Sequence, residues 1–156
     1  MAVLKIVTEA ENEEFLRKKS REVTEITPRI TTLLDDMIET MRAANGCGLA
    51  AVQVGVLRRI VVIETGEGLF EFINPVIVRK SGTQVGAEGC LSLPGKWGET
   101  KRPKCVTVRA LDRNGEEFEL TGYDLLAKAM CHEIDHLDGI LYTDKVTKML
   151  EADEVE

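Results

Sequence analysis

The only two histidines of this chain lie four positions apart, in the run His132-Glu133-Ile134-Asp135-His136. On an α-helix, residues i and i+4 lie on one face, so two imidazoles can bind one metal ion with Glu133 beside it. Two ordinary polar histidines on a helix would produce the same short pattern by chance. Because the chain places all of its histidines on this one face, the pattern favours a metal-binding helix.

The residues around this motif predict the same helix independently. An apolar stripe with helical spacing runs through Leu126, Met130, Ile134 and Leu137. Such a stripe is typical of a helix face that packs against a core. Gly139 follows at the point where a residue in the left-handed conformation would end the helix. We therefore predict a helix from about residue 123, with the motif opening beside the buried stripe.

The length and charge of the chain limit what it can be. Its 156 residues predict one catalytic domain, residues 1–156, with a C-terminal tail from about 147 to 156. A domain of this size buries roughly 70% of its unfolded surface without disulfide bonds. Four of the last six residues are acidic, and without them the net charge falls from −7 to −3. No basic surface is indicated, so we expect neither nucleic acid nor a membrane as partner.

The cysteines and the N-terminal residues indicate a reducing compartment. The chain contains Cys47, Cys90, Cys105 and Cys131 but no Cys-x-x-Cys pair, which is too sparse for a disulfide scaffold. The apolar run at residues 2–7 is too short for the core of a signal peptide. No apolar stretch is long enough to span a bilayer. We therefore expect a cytoplasmic protein.

Hydrophobic periodicity predicts a second helix and two strands. The helix covers residues 27–44, with Thr27 as its N-terminal cap and Pro28 in its first turn. It should end at the glycine-rich turn of residues 45–48. Strands are predicted at 59–64 and 72–78 from their runs of β-branched and aromatic residues.

A β-hairpin is predicted before the metal-binding helix. Residues 105–111 and 117–120 alternate in the manner of strands, and Asn114-Gly115 between them favours a tight type I′ turn. Strands clustered between two helices indicate an α+β fold. We expect a single domain with antiparallel β-sheets packed around a central helix that carries the His-Glu-x-x-His motif.

A catalytic metal needs a third protein ligand and one position open to water. Carboxylates and cysteines are the candidates. Cys90 lies between Gly89, which permits close approach of the backbone, and a segment that ends at Pro94. A thiolate there would complete a Cys-His-His site, but a free cysteine is usually a small buried apolar side chain. The spacing alone leaves both interpretations open.

Three segments of the chain carry a more specific signal. They are Gly46-Cys47-Gly48-Leu49-Ala50-Ala51-Val52-Gln53, Glu88-Gly89-Cys90-Leu91-Ser92 and His132-Glu133-Ile134-Asp135-His136. In order and spacing they resemble the signature motifs of peptide deformylases, which remove the formyl group from the N-terminal methionine of newly made bacterial and organellar proteins. The resemblance spans most of the chain. It implies a cytoplasmic hydrolase of bacterial type that acts in protein biosynthesis.

The resemblance also implies roles for individual residues. The implied metal ligands are Cys90, His132 and His136. Glu133 would be the general base, while the Gln53 side-chain amide and the Leu91 backbone N–H would hold the oxyanion. The implied cofactor is one divalent ion, with Fe(II) as the native metal and zinc, nickel or cobalt as substitutes.

A further group is assigned to substrate binding. It consists of Gly46, Cys47, Gly48, Glu88, Leu125 and Ala129. The two glycines leave room for an extended peptide that makes main-chain hydrogen bonds. Glu88 could instead orient a metal ligand or the loop of Gln53. Leu125 and Ala129 are predicted to line a methionine pocket beside the metal, with extension of the core as the alternative.

The implied partners are formyl-methionyl nascent peptides and the ribosome near its exit tunnel. Two other functions are consistent with parts of the sequence. Zinc peptidases share the His-Glu-x-x-His motif, but they commonly use a downstream His or Glu ligand, and no third histidine exists here. A deformylase-like protein that binds peptide or ribosome without turnover should lack Glu133, Gln53 or a ligand, and all are present.

Overall fold

The structure is a computed structural model that describes residues 2–151. Its helices are α1 (Glu9–Leu16), α2 (Pro28–Ala43) and α3 (Leu125–Leu137). Its strands are β1 (Gly48–Ala50), β2 (Ile60–Thr65), β3 (Gly68–Ser81), β4 (Gln84–Cys90), β5 (Leu93–Arg102), β6 (Cys105–Leu111), β7 (Glu117–Tyr123) and β8 (Val146–Leu150). Short 3₁₀ turns cover Ala51–Val54 and Tyr142–Asp144. The α+β prediction is confirmed.

The strands form two antiparallel sheets around α3. One has the order β1-β2-β3-β6-β7 and the other the order β4-β5-β8. The helix packs on the first sheet and also contacts β5 of the second. Its predicted stripe is buried in the main core cluster with side chains of β2, β3 and β6. The helix therefore lies where residues from both sheets can reach its motif face.

Strand β2 explains why the first sheet carries helices on both faces. Val61 and Ile63 point towards the α3 cluster, whereas Ile60 and Val62 point towards the cluster that contains α2. Side chains alternate along a strand, so a run that is buried on both faces must be continuously apolar. In the part of the chain that the structure describes, no helix is long and apolar enough to cross a membrane.

Helix α2 agrees with its predicted bounds. Thr27 occupies the predicted N-cap position, but its side chain makes no capping hydrogen bond. Pro28 is the first helical residue, where its missing N–H would be unpaired in any case. The helix ends before Asn45, which adopts a left-handed φ of 57°.

The predicted type I′ turn between β6 and β7 is wrong. Such a turn needs a positive φ at both central residues, and here Gly115 has one (82°) while Asn114 does not. The carboxylate of Asp112 accepts hydrogen bonds from the backbone N–H groups of Asn114 (2.9 Å) and Glu116 (3.0 Å). These bonds stabilise a longer loop, of residues 112–116, in place of the tight turn.

The predicted C-terminal tail is wrong for residues 147–150. These residues belong to β8, which pairs antiparallel with β5. The acidic composition suggested solvation, but backbone hydrogen bonding to the edge of β5 orders this segment. Residues 152–156 of the predicted tail lie outside the described residues.

The residue before α3 has a strained backbone, and this leads to a prediction on stability. Asp124 adopts φ 54° and ψ −117°, a conformation that only glycine reaches without cost. Its backbone is held there because its N–H donates to Lys104 and its carbonyl accepts from Gln84. We expect Asp124→Gly to raise the free energy of unfolding by about 1 kcal/mol, measured by urea denaturation.

Asp124→Ala is the matched control, because it removes the carboxylate but keeps the strain. Among the described residues the carboxylate makes only an exposed 3.9 Å contact with Lys104, which contributes little to stability. We expect no stabilisation by alanine. Equal stabilisation by glycine and alanine would show that the charge, not the backbone, is unfavourable.

Candidate active site

Helix α3 and the end of β4 bring three potential metal ligands together. His132 and His136 are buried on one face of α3, and their ring centroids are 5.0 Å apart. The Sγ atom of Cys90, the last residue of β4, lies 3.2 Å from Nε2 of His136. One ligand atom from each of the three residues lies within 4.8 Å of the others. The set implied by the motifs is therefore assembled in space.

The chemistry of these donors fits a divalent metal ion. A carboxylate oxygen of Glu88 accepts a hydrogen bond from Nδ1 of His132, which leaves the lone pair on Nε2 for a metal. Burial lowers the pKa of His136 well below its usual value, which favours the neutral imidazole that binds a metal. One sulfur and two nitrogens suit a tetrahedral ion with the fourth position open.

The carboxylate of Glu88 is hydrogen-bonded to several protein groups. It is 4% exposed, and besides His132 it accepts hydrogen bonds from Thr100 (2.8 Å) and from Arg102 (2.7 and 3.0 Å). Burial would raise the pKa of Glu88, but these partners outweigh burial and hold it well below its usual value. Both oxygens of Glu88 are bonded to protein groups, which favours the alternative in which Glu88 orients His132.

The same network extends to the flank of α3. Arg102 donates a third hydrogen bond, from Nη1, to Asp135 at 2.9 Å. Lys145 lies 3.3 Å from the same carboxylate. Asp135 therefore fixes α3 to β5 between the two histidines of the motif. Arg102 could not be assigned to the site from sequence, because nothing local links it to Glu88 or Asp135.

Glu133 has the environment of a proton acceptor. It is 5% exposed, and its Oε2 lies 3.9 Å from Nε2 of His132. Its Oε1 is buried and has no hydrogen-bond partner among the described residues. Burial raises the pKa of Glu133 to about 7. A Cβ atom on Gly48 would lie 2.6 Å from Oε2, so only glycine lets β1 approach this carboxylate so closely.

The amide of Gln53 is oriented by its neighbours. The backbone N–H of Ala50 donates to Oε1 at 2.9 Å, which identifies the other amide atom as the nitrogen. Nε2 then donates to Ser92 Oγ at 3.1 Å and lies 3.6 Å from Cys90 Sγ. The role of Ser92 could not be predicted from sequence, where its position two residues after Cys90 is the only signal.

A cavity of about 480 Å³ opens in front of the metal-ligand cluster. Its lining includes the predicted residues Gly46, Cys47, Gly48, Glu88, Cys90, Leu91, Leu125, Ala129, His132 and Glu133. The other two predicted residues, Gln53 and His136, are not part of this lining. Their Nε2 atoms lie 3.6 Å and 3.2 Å, respectively, from Sγ of Cys90. Ala129 also belongs to the main core cluster, so it packs in the core and lines the cavity.

The cavity has walls that the sequence analysis missed. Trp97 lines it from β5, and Lys128 lines it from α3. The indole of Trp97 packs on Gly89, where an added Cβ would lie 2.6 Å from the ring. A glycine near an aromatic residue on the neighbouring antiparallel strand is a recognisable pattern, but it requires knowledge of the strand pairing.

Comparisons with known proteins agree with this geometry. The family model for polypeptide deformylases matches residues 3–152. The peptide deformylase of Acetivibrio thermocellus is 60% identical over 146 residues, which cover 94% of this chain and 86% of the relative. The structure of the Ehrlichia chaffeensis peptide deformylase in complex with actinonin has a TM-score of 0.90 and 41% identity, covering 95% of this chain and 91% of its own. The Thermotoga maritima peptide deformylase has a TM-score of 0.90 and 34% identity, covering 94% and 99% respectively.

These matches distinguish the deformylase interpretation from the peptidase interpretation. Both share the motif on α3, but the family model covers nearly the whole chain, including the segments of Gln53 and Cys90. The chain belongs to the polypeptide deformylase family, the enzymes that remove the formyl group from the N terminus of new polypeptides.

Proposed function

We propose that the chain performs this deformylation at a divalent metal ion held by Cys90, His132 and His136. The observation that carries the proposal is the approach of Cys90 Sγ to within 3.2 Å of His136 beside the buried carboxylate of Glu133. The proposed substrate is the N-terminal formyl-methionine of a nascent peptide, and the products are formate and a free amine.

The residues around the metal supply proton transfer. A bound divalent ion would lower the pKa of a water molecule and polarise the formyl oxygen. Glu133 takes the proton of the attacking water and returns it to the nitrogen of the departing amine. Its raised pKa, about 7, suits both steps near neutral pH because the group gains and loses a proton readily.

Two donors stabilise the charge that develops on the formyl oxygen. We assign this role to Nε2 of Gln53 and to the backbone N–H of Leu91. The hydrogen bond from Ala50 supports the assignment for Gln53, because it prevents the amide from presenting its oxygen to the oxyanion. A preformed donor needs no reorganisation during the reaction.

The cavity walls suit a methionine side chain and an extended peptide. Leu125 and Ala129 present apolar surface on the α3 side of the cavity. Gly46 and Gly48 add no side chains to the lining, so a peptide backbone can lie against these positions and form strand-like hydrogen bonds. Leu91 packs against Gly46, where a Cβ would lie 2.6 Å from its Cδ1.

We further propose Fe(II) as the native ion, with zinc, nickel or cobalt as substitutes. Thiolate and imidazole ligands favour zinc over iron by affinity, so iron occupancy would depend on metal supply. Residues 1–156 are proposed to act as one catalytic domain in the bacterial cytoplasm. Nascent chains near the ribosomal exit tunnel are the proposed site of action.

Formate release tests this function directly. We expect the iron-loaded protein, prepared without oxygen, to release formate from formyl-Met-Ala-Ser and to leave acetyl-Met-Ala-Ser intact. The zinc-loaded protein should be slower. Cleavage of an internal peptide bond would indicate a peptidase, and peptide binding without formate would indicate a protein that has lost turnover; either result contradicts the proposal.

A further inference from the structure

Trp97 is the only tryptophan of the chain, and it is exposed in a functional cavity. It is 41% exposed although one side of its ring packs on Gly89. Gly89 precedes Cys90 directly, so the indole lies close to the proposed metal ligands. A large aromatic ring with an open side in a cavity wall offers a binding surface for an apolar group.

The surroundings leave this surface available. The neighbouring Lys96 directs its ammonium group to Glu9, with an Nζ–Oε1 distance of 3.2 Å. Pro94 and Gly95, which also line the cavity, add no charge beside the ring. Two uncharged residues of the lining therefore adjoin Trp97 in sequence, and the charge of Lys96 is paired with Glu9.

Trp97 and the residues of the proposed methionine pocket lie on different elements of the cavity lining. Leu125 and Ala129 belong to α3, whereas Trp97 belongs to β5. Lys128 of α3 donates from Nζ to the carbonyl of Ala87 on β4 at 3.0 Å, and β4 pairs with β5. Leu125 and Trp97 thus line the same cavity from a helix and from a strand.

The geometry of an extended peptide connects these two surfaces. Successive side chains of an extended chain point in opposite directions. If the methionine side chain points towards Leu125 and Ala129 on α3, the next side chain points away from that wall. The indole of Trp97 is a large, partly exposed apolar surface of the lining outside α3 that could receive it.

We propose that Trp97 is a specificity-determining residue, which binds the side chain of the second peptide residue and favours an aromatic residue there. The inference rests on the proposed deformylase function and names a preference within it. A stacked or edge-to-face contact with the indole stabilises the bound peptide beyond the contacts of its formyl-methionine.

The first test compares two substrates. We expect wild-type kcat/KM to be roughly three- to tenfold higher for formyl-Met-Phe-Ser than for formyl-Met-Ala-Ser, the range of an aromatic pair. In Trp97→Ala the ratio should fall to about one because only the phenylalanine peptide loses a contact. Trp97→Leu, which keeps an apolar cover over Gly89, should also lower the ratio with the metal content unchanged.

Val85→Ala is the control variant. Val85 is 60% exposed on β4 but does not line the cavity, so its removal should leave the substrate ratio unchanged. An unchanged ratio in Trp97→Ala and Trp97→Leu would overturn the proposal. So would an equal loss for both peptides together with loss of metal, because that result would mean that Trp97 only covers Cys90.

Fluorescence gives a readout that does not depend on turnover. Since Trp97 is the only tryptophan, its emission reports on this wall alone. In the metal-loaded Glu133→Gln variant, formyl-Met-Phe-Ser should change the emission at lower concentration than formyl-Met-Ala-Ser. Equal titrations for the two peptides would contradict the proposal. Absence of formate from both peptides with the wild-type protein would instead reject the proposed function.

Discussion

We expect Glu133→Gln to lower kcat by about 100- to 10,000-fold while the protein keeps its metal. The carboxylate is buried, and its Oε1 has no partner among residues 2–151, so it is available for proton transfer. Glutamine has nearly the same volume but cannot accept the proton. The measurements are steady-state formate release and metal analysis of the same purified sample.

Glu39→Gln is the matched control for this substitution. Glu39 also has a buried carboxylate oxygen without a hydrogen-bond partner among the described residues, but it lies on α2 and does not line the cavity. We expect its replacement to leave kcat and metal content unchanged. Retention of most activity by Glu133→Gln would eliminate this residue as the base, whereas loss of metal would leave its effect on kcat uninterpretable and require reloading before the assay.

Helix α3 illustrates what local sequence determines. Its apolar stripe and its motif face follow from residue spacing alone, since both depend on the 3.6-residue period of a helix. Gly139 was predicted to adopt a left-handed conformation and does so, with φ 75°. There is a second reason for glycine here, because a Cβ would lie 2.2 Å from the carbonyl oxygen of Arg17. That contact spans most of the chain and could not be read from the sequence.

The β4–β5–β8 sheet illustrates the opposite case. Strand β4 contains two glycines and an alanine among its seven residues and carries little of the alternation that identifies a strand. Strand β8 is short and merges into an acidic end. Their identity as strands depends on pairing with β5, which is a tertiary effect that overrides local propensity.

The residues of the candidate site also differ in how far local sequence predicts them. The two histidines and Glu133 follow from one helical pattern, whereas Cys90 became more than an open candidate only through resemblance to a family. The hydrogen bonds of Glu88 with Arg102 and His132 join residues from two strands and a helix. Such a network requires the completed fold, because none of its members is a sequence neighbour of the others.

The orientation of Gln53 leads to the second large expected effect. We expect Gln53→Leu to lower kcat by about 100- to 1,000-fold and to change KM little, because its amide acts on charge that develops only in the transition state. Leucine also leaves the N–H of Ala50 without its acceptor. The free energy of unfolding should therefore fall by about 1–3 kcal/mol, the cost of an unsatisfied buried donor.

Two further variants separate the catalytic effect from the structural one. Gln53→Glu retains an acceptor for Ala50 but presents a carboxylate oxygen in place of Nε2, so stability should recover while kcat stays low. Ser92→Ala removes the hydroxyl that accepts from Nε2 without removing the donor itself, so kcat should fall less than about tenfold. An activity that follows stability across all three variants would contradict the oxyanion role. The alternative outcome is that kcat depends on the presence of the Gln53 amide donor and not on the free energy of unfolding. That outcome would establish that Gln53, a side chain outside the cavity lining, stabilises the charge that forms inside the cavity.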